Sequence, residues 1–222
     1  EPKLNRWEWQ RACCLQTVED LYTQSFVLPY LVPMLENAGA NVLLPRERDC
    51  QTAEIIIDND GCLNTNSTYT ERTADKVWLQ GTGKGFAHLR PQYIDFENPF
   101  KEGTFRIAET VKKGKESTAE WIPEIPQNGQ YAVYVSYQTV PNSSDDALYT
   151  VYHKGGVSQF KVNQKMGGGT WVYLGTFGFD AGKSNACKVT LSNRSAKAGQ
   201  IVTADAVKIG GGMGNIARRI SE

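Results

Sequence analysis

Tyr131-Ala132-Val133-Tyr134-Val135-Ser136-Tyr137 decides the fold, because its odd-numbered positions are all large and apolar or aromatic. A period of two over such a run is the mark of a β-strand with one face buried in a core. Working outward, strand-like runs recur at residues 105–111, 118–122, 148–153, 157–162, 170–179, 187–192 and 201–209. Turn signals such as Gln127-Asn128-Gly129 and Lys154-Gly155-Gly156 separate them. Strands at this spacing, with no helical period between them, predict an antiparallel β-sandwich or jelly roll.

Upstream the period is different. Leu15, Val18, Tyr22, Leu28, Leu31 and Leu35 recur at three- and four-residue steps or their multiples, which predicts a helical segment. Pro29 and Pro33 place a kink or break near residues 26–33, since each removes a backbone donor. Gly39 caps the helix, and Val42-Leu43-Leu44 and Ile55-Ile56-Ile57 read as short strands, the second closed by Asp58-Asn59-Asp60-Gly61. Residues 63–104 have weak periodicity and read as a loop-rich connector. The expected fold class is therefore α+β overall, an N-terminal helical and αβ segment followed by the sandwich.

Charge and composition narrow the function. The 222 residues carry 24 basic and 24 acidic side chains, so no net field draws in nucleic acid or an anionic membrane. No apolar run approaches the roughly 20 residues of a membrane helix, and no signal peptide opens the chain. Both ends read as cut from something longer, with residues 212–222 an exit segment after Gly210-Gly211-Gly212. Cys13, Cys14, Cys50, Cys62 and Cys187 form no CxxC pair, so buried free thiols are the first reading. A Cys50–Cys62 bridge is the alternative in an oxidising compartment.

Three ordered stretches resemble the golvesin C-terminal and xanthan-lyase-associated domain family. They are Ala119-Glu120-Trp121-Ile122-Pro123, Gly129-Gln130-Tyr131-Ala132-Val133-Tyr134-Val135 and Tyr149-Thr150-Val151-Tyr152-His153-Lys154-Gly155-Gly156. Gly167-Gly168-Gly169-Thr170-Trp171 and Val202-Thr203-Ala204-Asp205-Ala206-Val207 continue the likeness, which covers residues 105–211. It implies a galactose-binding-like sandwich of secreted bacterial proteins, associated with polysaccharide and without agreed catalytic residues. Residues 33–49, from Pro33-Met34-Leu35 to Arg48-Asp49, resemble part of the zinc-dependent N-acetylmuramoyl-L-alanine amidase fold. The resemblance makes residues 1–62 a partial amidase-like segment whose zinc ligands lie outside this chain. It also implies a parent similar to bacterial proteins labelled xanthan lyase, hence an extracytoplasmic setting.

Catalytic patterns are not legible. A catalytic zinc needs three protein ligands, and His88 and His153 have no HxH or HxxE spacing around them. No Gly-x-Ser-x-Gly elbow occurs. Gly81-Thr82-Gly83-Lys84-Gly85 lacks the Lys-Ser/Thr step and the spacing of a phosphate loop. The chain alone is therefore expected to be non-catalytic and to need no cofactor, a structural calcium excepted.

Sugar binding calls for a flat aromatic against a pyranose face, with amide or carboxylate groups for the hydroxyls. Trp171, Tyr173, Tyr152 and Gln164 supply those types around the Gly-rich turn, although core packing is the first reading of Trp171 and of Trp121. Asn142-Ser143-Ser144-Asp145-Asp146 gathers oxygen donors suited to calcium, or is a solvated turn. Asp205 shares strand parity with Val207 and Ile209, so it points toward the core and must either accept backbone donors at a sheet corner or ligate a cation. Three functions follow: a module binding polysaccharide or peptidoglycan for the rest of a parent chain, a scaffold fragment of an amidase-like hydrolase, or a structural spacer or oligomerisation insert.

Overall fold

A computed structural model of the chain describes residues 26–31, 34, 35, 38, 51, 53–61, 66–87 and 97–211. The expected strand at Val42-Leu43-Leu44, most of the amidase-like segment, the Cys50–Cys62 pair, His88 and the exit segment lie outside the described residues. Where the kink was expected, a π-helical turn occupies Val27–Leu31 and contains Pro29.

Among the described residues the chain forms β1 (Glu54–Ile57), β2 (Thr68–Arg72), β3 (Leu79–Gln80), β4 (Arg106–Glu109), β5 (Thr118–Ile122), β6 (Glu124–Ile125) and β7 (Gly129–Val135). They are followed by β8 (Ala147–His153), β9 (Gly156–Val162), β10 (Val172–Phe179), β11 (Gly182–Lys183), β12 (Lys188–Ser192), β13 (Ile201–Ala204) and β14 (Val207–Gly210). A four-stranded sheet has the order β1-β14-β7-β10 and a five-stranded sheet the order β2-β5-β12-β8-β9. A smaller sheet, β13-β4-β3, extends the structure, and β6 pairs with β11. All the strand ladders are antiparallel.

The two large sheets enclose one core. Tyr131, Val133 and Val135 from β7 meet Ala119 and Trp121 from β5, Val189 and Leu191 from β12, and Tyr149 and Val151 from β8, all fully buried. These are the alternate positions that the period of two marks. Trp121 lies within this core, its ring 5.4 Å from that of Tyr69 and 6.4 Å from that of Tyr149. Among the described residues Cys187 is a buried free thiol, as the first reading had it.

Sheet membership does not follow the expected boundaries at residues 62 and 104. Ile55-Ile56-Ile57, read with the amidase-like segment, pairs with the C-terminal strand β14 from Glu54↔Gly210 to Ile57↔Val207. From the expected connector, β2 forms an edge of the five-stranded sheet and β3 an edge of the small one. The physical reason is that an apolar extended run has no stable place except against another strand, and β14 offers a free edge. Residues 201–209, expected as one strand, are two: the chain leaves the small sheet at Ala204 and enters the four-stranded sheet at Val207. Asp205 and Ala206 form that corner.

Candidate functional site

The outer face of the four-stranded sheet carries a row set by register. Ile56 lies opposite Lys208, Lys208 opposite Tyr134, and Tyr134 opposite Tyr173, so one side chain from each of β1, β14, β7 and β10 falls in line. The Tyr134 and Tyr173 rings are 5.4 Å apart, and the Tyr173 hydroxyl bonds that of Thr176 at 2.9 Å. The Lys208 ammonium sits 4.5 Å from the Tyr134 ring centre and 5.6 Å from that of Trp171, within cation–π range of both. Tyr134, Tyr173, Trp171 and Lys208 are all half-buried, presenting some ring surface while being held by neighbours.

Trp171 is anchored rather than free-standing. It packs on a second, small core of Ile56, Phe86, Phe100 and Ala206, with ring centres 4.9 Å from Phe86 and 5.5 Å from Phe100. The segments that supply Phe86 and Phe100 are held by the Gly85↔Gly103 bridge. A Cβ on Gly85 would lie 2.0 Å from the Thr104 carbonyl oxygen, and one on Gly103 would lie 2.0 Å from that of Phe86, so the two segments can approach only as glycines.

The sequence candidates thus separate. Trp171 and Tyr173 come to one place, joined there by Tyr134 and Lys208, which sequence reasoning did not single out. Tyr152 is on the other sheet, opposite Lys188, whose ammonium lies 5.4 Å from its ring centre. Gln164 belongs to the interior and not to a surface: it is fully buried, accepts the Thr203 N–H at 2.8 Å, and donates to the Thr203 carbonyl at 2.8 Å and the Tyr149 hydroxyl at 3.2 Å. Its amide completes the pairing of a backbone that strand ladders leave unmatched.

The acidic loop is occupied by the protein's own donors. Asp145 takes Lys165 at 2.6 Å and Lys197 at 2.9 Å, which hold its carboxyl down at about 2. Asp146 accepts the hydroxyls of Ser144 at 2.8 Å and Ser195 at 2.5 Å and the Ala196 N–H at 2.8 Å. Asp205, fully buried at the corner, accepts the Phe86 N–H at 3.1 Å, the Gln138 amide at 3.3 Å and the Ser136 hydroxyl at 3.4 Å. Burial nevertheless raises its carboxyl to about 7. Nearby Asp58, buried and facing the charges of Asp205 and Asp60, is raised to about 9. Among the described residues no three His, Cys, Asp or Glu side chains gather as a metal-holding group, and no helix is long and apolar enough to cross a membrane.

These features define a two-sheet antiparallel β-sandwich with an aromatic row on one outer face. The chain belongs to the golvesin C-terminal domain family, which matches residues 100–211, just over half its length. It is 33% identical over 96 residues to a xanthan lyase of Bacillus sp. (strain GL1), a match that covers 43% of this chain and 10% of the lyase. A solved xanthan lyase from Paenibacillus superposes with a TM-score of 0.52 at 24% identity, covering 71% of this chain and 13% of that one. The chain thus spans roughly a tenth of the lyases that it matches.

Proposed function

We propose that this sandwich is a non-catalytic polysaccharide-binding module of an extracytoplasmic bacterial protein that acts on polysaccharide or cell wall. The observation that carries the reading is the row Lys208–Tyr134–Tyr173 with Trp171 beside it. Aromatic faces held on a rigid sheet take the C–H face of a pyranose, and the ammonium and the paired Tyr173 and Thr176 hydroxyls are donors for its oxygens. The likeness to xanthan lyases supports a polymer that is itself a glycan, with the parent enzyme held near it by the module. Effective concentration, not new chemistry, is then what the module contributes.

The test is calorimetric titration of the whole chain with xanthan, peptidoglycan fragments and neutral and acidic oligosaccharides. Saturable binding to one of these, weakened at least tenfold by Tyr173→Ala with the unfolding temperature unchanged, is the expected result. Silence across the panel, or binding untouched by Tyr173→Ala and Tyr134→Ala, would overturn it.

A further inference from the structure

One surface loop departs from the balance of charge that the chain keeps overall. Between β4 and β5, Lys112-Lys113-Gly114-Lys115 places three lysines within four residues, all exposed. Among the described residues no acid pairs with the ammonium of any of the three. The acids beside them serve other groups. Glu116 accepts the Ser192 hydroxyl and faces Arg194 at 3.9 Å, Asp75 accepts the Lys115 main-chain N–H at 2.9 Å, and Glu109 pairs with Lys76 at 2.7 Å.

The loop is held by the residues that follow β12. The fully buried Asn193 amide spans its two ends, donating to the Glu109 carbonyl at 2.8 Å and accepting the Ser117 N–H at 2.8 Å. The Arg194 guanidinium grips the middle, donating to the Lys112 carbonyl at 3.1 Å and the Gly114 carbonyl at 2.8 Å. Main-chain bonds from Val111 to the Asn193 carbonyl at 2.9 Å and from Ser195 to the Val111 carbonyl at 3.1 Å close the same contact. The backbone that carries the lysines is thus fixed in advance, and a ligand has only side-chain freedom to restrict.

We infer that this loop is a contact site for a carboxylate-bearing polysaccharide, with Lys112, Lys113 and Lys115 as its donors; that the polymer is a glycan rests on the function proposed above. An ammonium gives a uronate carboxylate a charge-assisted hydrogen bond. One exposed ion pair contributes little, so the contact depends on three ammoniums on one fixed backbone meeting a polymer that repeats its carboxylates. Two other polyanions fit less well. Duplex nucleic acid carries a charge about every 1.7 Å and is matched by a broad basic face, whereas this chain is neutral as a whole. An anionic membrane is held by about four or more clustered basic residues, and here three stand between Val111 and Glu116 without an exposed apolar anchor.

The experiment is titration of the whole chain with polygalacturonate and with neutral dextran, at ~20 mM and ~300 mM sodium chloride. Polygalacturonate should bind at low salt and weaken about tenfold or more at high salt. The double variant Lys112→Gln, Lys113→Gln should weaken that binding at least fivefold with the unfolding temperature unchanged. Lys84→Gln with Lys101→Gln, two exposed lysines elsewhere, has the same net charge and should leave it intact. Arg194→Lys keeps the charge but loses the fork that holds the loop, and should weaken binding at least threefold. Absence of polygalacturonate binding at low salt, or equal weakening by the two double variants, would overturn the inference. So would duplex DNA or phosphatidylserine vesicles binding as tightly as polygalacturonate. Tyr173→Ala separates this loop from the aromatic row: polygalacturonate binding that it spares and the Lys112, Lys113 variant weakens upholds the loop alone, and the reverse pattern upholds the row alone.

Discussion

The indole N–H of Trp121 donates to the main-chain carbonyl of Asp205 at 3.1 Å, with both residues fully buried. One bond therefore joins β5, an interior strand of the five-stranded sheet, to the corner at which the chain crosses into the four-stranded one. The carbonyl that it serves belongs to neither flanking strand.

Trp121→Phe should cost about 2–3 kcal/mol, because it leaves that carbonyl without a donor and a gap where the second ring stood. Urea unfolding checks this, and a loss under about 0.5 kcal/mol would mean the corner is held by other contacts.

Gln164→Ala should be more severe, about 3–5 kcal/mol, since both main-chain groups of Thr203 lose their partners at once. Tyr149→Phe removes only the contact to the Gln164 amide and should cost about 1 kcal/mol. The ordering of the two in thermal unfolding is the sharper check.

Asp145 gives the acid limb of the stability profile. Lys165 and Lys197 depress its carboxyl from 3.8 to about 2, so its stabilising contribution is present above about pH 4 and is lost as the pH falls toward 2. Asp145→Asn should flatten that limb between pH 4 and 2, and 1 M salt should mimic the substitution because the pairs are open to solvent.

Gly85→Ala and Gly103→Ala should each destabilise by about 1–3 kcal/mol, as neither added Cβ clears the facing carbonyl oxygen. Fluorescence of Trp171 is a second readout, because the same bridge holds Phe86 and Phe100 against it.

Local pattern carried most of the sandwich. The alternation through Tyr131, Val133 and Val135 named the core face, and the run at 118–122 matches β5 at both ends. The break inside 201–209 was hidden because Val202 and Ala204, like Val207 and Ile209, look like pieces of ordinary strands, and only Asp205 among them hinted at a corner. β1 and β2 were assigned elsewhere since their partners lie far along the chain, and a three-residue apolar run does not say which edge it will meet. The aromatic row was half legible. Trp171 and Tyr173 follow the Gly-rich turn, but Tyr134 joins them through its even position in β7, a parity that matters only once the outer face is known to be a surface. Gln164 misled because an amide in sequence looks like a surface donor, and its use depends on the backbone of Thr203, 39 positions away.

The rung Ile57↔Val207 also sets an order of events in time. Its two residues are made about 150 positions apart, so during synthesis β1 waits with an open apolar edge until β14 has left the ribosome. Closing so long a loop is slow, and the waiting edge is a template for the wrong partner. The chain should therefore gain more from a chaperone, or from slowed synthesis, than its number of short hairpins would indicate.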